Sequence, residues 1–150
     1  MGKLKKYTII LMSVITTIIL CALPIMSTYL SDGESCTMFI RGYNLMEFSA
    51  WGSIPLFASL LIPVIIFGYQ TKSAKEAELL LLLIGNIVCY VHGFNVSQAW
   101  LSSLGGSLLR YYPGMLLYPC LFIATWVAAW FYNREHNAEK RLTGMKVAEE

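Results

Sequence analysis

The chain has 150 residues and a net charge of only +2; 57% of its residues are hydrophobic and 13% are charged. Soluble domains carry about 25% charged residues, so these proportions, with a mean hydropathy of +0.59, exclude an ordinary water-soluble domain. So small a charge does not suggest nucleic acid as a partner, and none is expected.

Four apolar stretches, at about 7–26, 53–69, 79–96 and 115–132, alternate with short polar connections. Some 20 apolar helical residues, rising about 1.5 Å each, cross a hydrocarbon core of about 30 Å. The expected fold class is an all-α integral membrane protein, its four transmembrane helices forming an antiparallel, proline-kinked bundle with both termini cytoplasmic. Residues 1–150 are read as a single membrane domain with a cytoplasmic tail over 133–150.

Orientation follows from the cations. Lys3, Lys5 and Lys6 precede the first stretch, Lys72 and Lys75 separate the second from the third, and Arg134, Lys140, Arg141 and Lys146 follow the fourth. Arg41 and Arg110 alone remain for the opposite side. Positive side chains are retained on the cytoplasmic side, and an even number of spans returns the chain there. The first span lacks an A-x-A cleavage site and is longer than a signal-peptide core, so it is expected to be retained. A multi-pass protein of a bacterial inner membrane fits the compact connections.

Span one carries Ser13, Thr16 and Thr17, which can bond to their own helix carbonyls, and Pro24 in its last turns. The external segment 27–51 opens with a turn at Asp32-Gly33 and continues as a semi-apolar, aromatic-rich stretch that lies against the membrane surface or caps the bundle. It supplies a candidate external contact of Arg41, Tyr43, Asn44 and Glu47, to which the second external loop adds Arg110. Span two holds Pro55 near its start and Pro63 in its middle, where the ring cannot donate to the carbonyl of Ser59. Ser73 and Glu76 have capping-box spacing for the third helix.

Span three is the most polar. At 100° per residue, Gly85, Asn86, Cys89, His92, Gly93 and Val96 share an arc of about 120°. Gly85, Cys89 and Gly93 make a small-residue ridge for helix packing, and Asn86 and His92 are the candidate polar positions inside the membrane. No intramembrane Asp or Glu accompanies His92, and His136 is in the tail, so neither a proton relay nor a histidine metal site is expected; no cofactor or catalytic motif is present. The segment 97–112, interrupted at Gly105-Gly106, reads as a surface helix or a re-entrant piece, with Pro113 opening span four and Pro119 inside it.

The four cysteines, Cys21, Cys36, Cys89 and Cys120, form no C-x-x-C pair. Buried cysteines usually pack as small apolar groups; an external disulfide from Cys36 to Cys120 or Cys21 is the pairing the layout permits. The expected role is non-enzymatic: helix contact with another membrane component, in an accessory, regulatory or protective capacity. Partners are then the lipid bilayer and another membrane protein or a second copy. The alternative is an oligomeric small transporter or channel lined by Asn86 and His92.

Overall fold

The computed structural model describes residues 2–32, 34–68, 71–103 and 107–148. The elements in order are α1 (Gly2–Ala22), β1 (Pro24–Asp32), β2 (Glu34–Arg41), a short α2 (Leu45–Phe48) between two 3-10 turns, α3 (Ser53–Phe67), α4 (Lys72–Ser103), β3 (Ser107–Tyr111) and α5 (Gly114–Ala148). The chain is mostly helical. Four stretches, Leu4–Ala22, Ala50–Phe67, Lys72–Ser103 and Gly114–Leu142, are long and apolar enough to span a membrane. The make-up is that of a multi-pass membrane protein.

Burial is arranged for an apolar solvent. The inward face of α1 is Ile9, Ser13, Thr16 and Leu20, and that of α5 is Tyr118, Phe122, Thr125, Ala129 and Asn133, at spacings of three and four residues. The outward faces present Leu11, Ile18, Val64, Leu81, Val88 and Leu116. Lipid tails are as apolar as leucine, so polar side chains gain more by turning inward to bond one another. Helix α1 packs on α3 and α5, α3 on α4 and α5, and α4 on α5.

A three-stranded sheet, ordered β2-β1-β3, caps one end and is an addition to the all-α expectation. Strand β1 pairs antiparallel with β2 from Pro24 opposite Arg41 to Asp32 opposite Glu34; the chain reverses there, and Gly33, part of the expected turn, lies outside the described residues. Strand β3 joins the other edge of β1, with Ser27 opposite Arg110. The segment expected to lie on the membrane surface or cap the bundle is largely a hairpin. Ile25, Met26, Ser27 and Thr28 are buried in it, so the strand is covered on both faces near its start and shows no alternation of apolar and polar residues.

Three helix boundaries differ from expectation. Pro24 lies outside α1 and opens β1: proline cannot donate to the carbonyl of Leu20 and disfavours helical geometry in the residue before it, whereas the first position of a strand tolerates it. Helix α4 begins at Lys72, and Thr71 caps it, its hydroxyl accepting from the Ala74 N–H at 3.4 Å in place of the expected Ser73 box. The same helix continues to Ser103, so 97–103 is a helical extension and 107–111 a strand, neither a separate surface helix nor a re-entrant piece. Residues 104–106, with Gly105 and Gly106, lie outside the described residues.

Close approach of backbones joins the cap to the helices. A Cβ on Gly42 would come within 2.6 Å of the Leu20 carbonyl, and one on Gly114 within 2.5 Å of the Pro24 carbonyl. The α2 turn rests on α4: Leu45 lies 3.4 Å from the position of a Cβ on Gly93, and the rings of Phe48 and Trp100 are 4.9 Å apart.

Candidate functional site

Two prolines sit inside helices, Pro63 in α3 and Pro119 in α5. Each lacks the N–H that would bond the carbonyl four residues earlier, so the carbonyls of Ser59 and Met115 lose their helical donors. In hydrocarbon such an orphan is costly unless a neighbouring helix supplies a donor. Both receive one. The Ser13 hydroxyl of α1 donates to the Ser59 carbonyl, and the Tyr90 hydroxyl of α4 donates to the Met115 carbonyl at 3.0 Å. The prolines thereby create acceptors that weld separate helices together.

These two bonds belong to a larger interior set. Thr17 bonds the Ser59 hydroxyl, and Thr16 lies 3.3 Å from Thr125 across the α1–α5 contact. Asn86 is buried and its amide donates to the Tyr118 hydroxyl at 2.8 Å; that hydroxyl in turn donates to the Pro55 carbonyl at 2.8 Å. One amide and one phenol thus link α4, α5 and α3. The Trp126 indole N–H donates to the Leu79 carbonyl at 2.6 Å, and Lys75 reaches the Ile66 carbonyl at 3.0 Å.

If the Ser13 bond answers the Pro63 vacancy, the two changes are coupled. Ser13→Ala is expected to cost about 1 kcal/mol, the usual size of an inter-helix hydrogen bond. In a Pro63→Ala background, where the Ser59 carbonyl regains its own helix donor, the same change is expected to cost close to nothing. Denaturation of the four variants of this cycle in mixed micelles measures the coupling; additive costs would show that Ser13 serves some other purpose.

His92 does not share the Asn86 environment. It is exposed on α4, while Asn86, Cys89, Tyr90, Gly93 and Ser97 are buried. The buried stripe is turned toward Tyr90 relative to the arc drawn from the sequence, because Asn86 and Tyr90 both bond α5. Cys89 is buried, and Gly93 faces the Leu45 side chain of α2; a Cβ on Gly85 would meet nothing within 4 Å. A groove of about 200 Å³ lined by Asn86, Tyr90, Phe94, Met115, Pro119 and Phe122 opens between α4 and α5, beside the polar linkage.

At the sheet end, Arg41, Asn44 and Glu47 form one local turn. The Arg41 N–H donates to Asn44 Oδ1 at 2.9 Å, and Asn44 Nδ2 donates to Glu47 at 3.4 Å. Arg41, Tyr43 and Glu47 are exposed beside it. Arg110 is exposed on β3, at the far edge of the sheet from β2, so it is not paired with Glu47. Cys21, Cys89 and Cys120 are free thiols, Cys120 being exposed; the Cys36 side chain lies outside the described residues.

Tyr90 and Tyr118 carry no signal in the sequence, and Ser13, read as bonding its own helix, instead bonds the Ser59 carbonyl across to α3. The available signal was proline spacing: a proline at i names the carbonyl at i−4 as an acceptor in need of a donor. Among the described residues no group of His, Cys, Asp and Glu is placed to hold a metal ion. No family model, no curated protein and no solved structure matches the chain.

Proposed function

We propose that the protein is a non-enzymatic multi-pass protein of a bacterial inner membrane that acts by contact with another membrane component, in an accessory, regulatory or protective role. The observation that carries this reading is the commitment of the interior polar groups. Asn86, Tyr118, Tyr90, Ser13 and Ser59 hold helices to one another, which supports a packed core over a lined path. What remains for recognition is the surface, and the cap offers most of it. Tyr29, Phe39, Tyr43, Trp51 and Tyr111 are exposed there with Arg41 and Glu47, a mixture of aromatic anchors and charge that suits a protein contact.

In this reading the helices form an antiparallel bundle bent at Pro63 and Pro119, the cap faces away from the cytosol, and both termini lie in the cytoplasm. The cations support that orientation. Lys5 pairs with Glu135, Lys6 lies 4.6 Å over the Phe67 ring, and Lys75 caps the end of α3, so the start of α1, the end of α3, the start of α4 and the outer part of α5 meet at one cation-rich end. Arg41 and Arg110 belong to the cap.

Photo-crosslinking in native membranes tests the proposal. A photoreactive residue in place of Trp51 or Phe39 is expected to yield a discrete protein adduct, while the same residue at Leu81, on the outward face of α4, yields lipid adducts only. His92→Ala is expected to leave the adduct and protein levels unchanged. Lipid adducts alone at all three positions, or a solute flux abolished by His92→Ala, would overturn the contact reading in favour of an oligomeric transporter.

A further inference from the structure

The sheet carries a second feature, independent of any protein partner. Ser27 and Arg110 are cross-strand partners, as are Tyr29 and Thr37. Side chains of directly opposed residues stand on the same face, and residues two apart on a strand share a face, so all four lie together. With Tyr112 and Thr28 they line a pocket of about 140 Å³. Arg110 is the one charged residue of this lining, and the other five residues all carry hydroxyls.

The hydrogen bonds within the pocket leave donors unused. The Ser27 hydroxyl donates to the Tyr112 oxygen at 3.2 Å, which leaves the Tyr112 proton free to be given to something else. The Tyr112 ring is held in place, 5.9 Å from that of Phe39, and its backbone N–H donates to the Ile25 carbonyl at 3.1 Å. Arg110 forms no ion pair among the described residues, and a guanidinium is a permanent cation whose fork of N–H donors fits phosphate or carboxylate in two-point fashion.

We propose that this pocket binds a phosphate-type oxyanion. The charge is placed for it: one fixed cation, phenol and alcohol donors around it, and no described carboxylate in the lining. The pocket sits where α1 gives way to β1 and β3 leads into α5, at the ends of the spanning helices. Two sources therefore supply the same chemistry, the headgroup of a membrane phospholipid and free inorganic phosphate.

Arginine modification by phenylglyoxal distinguishes them, because Arg41 serves as an exposed internal reference in the same molecule. The full-length protein is held in neutral maltoside micelles without phosphate, and modification of each arginine is followed by peptide mass spectrometry. Inorganic phosphate is added in one arm; in the other, nanodiscs of phosphatidylglycerol are compared with nanodiscs of a phosphate-free galactolipid. Occupancy is expected to slow modification of Arg110 about tenfold relative to Arg41, the scale of one charge-assisted bidentate contact. Protection by phosphatidylglycerol alone identifies the headgroup as the source, and protection by inorganic phosphate identifies the free ion. Tyr112→Phe, which keeps the ring contact but removes the acceptor of the Ser27 hydroxyl, is expected to weaken the protection severalfold and to lower the thermal midpoint by only a few degrees. Equal rates at Arg110 and Arg41 in both arms, or full protection in Tyr112→Phe, would overturn the assignment.

Discussion

Tyr118→Ala is expected to destabilise the protein by about 3 kcal/mol, more than any other side-chain truncation in the helical core. The side chain is 1% exposed and lies between the rings of Tyr90, at 5.1 Å, and Phe122, at 6.2 Å. In water the loss of a buried aromatic costs about 3–5 kcal/mol, part of which is the transfer of apolar surface. Here that part shrinks, because the unfolded helices would remain in lipid. The lost dispersion contacts remain, as does a second loss: the Asn86 amide and the Pro55 carbonyl are both deprived of the Tyr118 hydroxyl. Tyr118→Phe isolates that second loss and is expected to cost about 1 kcal/mol. Unfolding with dodecyl sulfate in mixed micelles reads both; equal costs for the two variants would mean that the ring contributes nothing beyond its hydroxyl.

Gly42→Val is expected to cost a similar amount through overpacking, at about 3 kcal/mol. A Cβ at this position would overlap the Leu20 side chain and lie 2.6 Å from its backbone carbonyl. Leu20 is 1% exposed at the end of α1 and cannot swing aside. The strain falls where the sheet returns to the helices, so detachment of the cap is expected before the helices separate. Limited proteolysis checks this: cleavage within the β1–β2 hairpin should accelerate at least about tenfold in Gly42→Val, since each 1.4 kcal/mol of local opening is a factor of ten. Gly85→Ala is the control, because a Cβ there meets nothing within 4 Å. A proteolysis rate equal to that of the control would show that the approach at Gly42 relaxes freely.

The helical spans were legible because their signal is compositional. Runs such as YTIILMSVITTIILC and SLLIPVIIFG need only the length of a bilayer and a scarcity of charge to be recognised. The prolines were legible in part: Pro63 and Pro119 announced themselves as interruptions, and Pro63 as the loss of the Ser59 donor, but not which helix would answer. Pro24 was misplaced by a few residues, since an apolar run gives no sign of where a helix turns into a strand. The sheet was missed for a related reason. IMST at the start of β1 is buried throughout, and a strand covered on both faces shows no alternation to find.

The polar positions divide along the same line. Asn86 was singled out because an amide in hydrocarbon needs a partner, and that need is a property of the residue alone. His92 was singled out by equal logic, yet α4 turns it outward, because a helix has one rotation and the bonds of Asn86 and Tyr90 to α5 select it. Arg110 and Ser27 are 83 positions apart in the chain, and only strand pairing makes them neighbours.

By itself, then, the order of residues determined the solvent this chain requires, the number of stretches able to cross it, and the end at which its cations collect, since each depends on local composition. Which hydroxyl meets which proline-freed carbonyl, which face of α4 is covered, and which strand stands beside β1 were decided only in three dimensions. Those choices turn on single directional bonds between segments far apart in the chain, and in a solvent that offers no hydrogen bonds of its own, the packing that satisfies them is the one that persists.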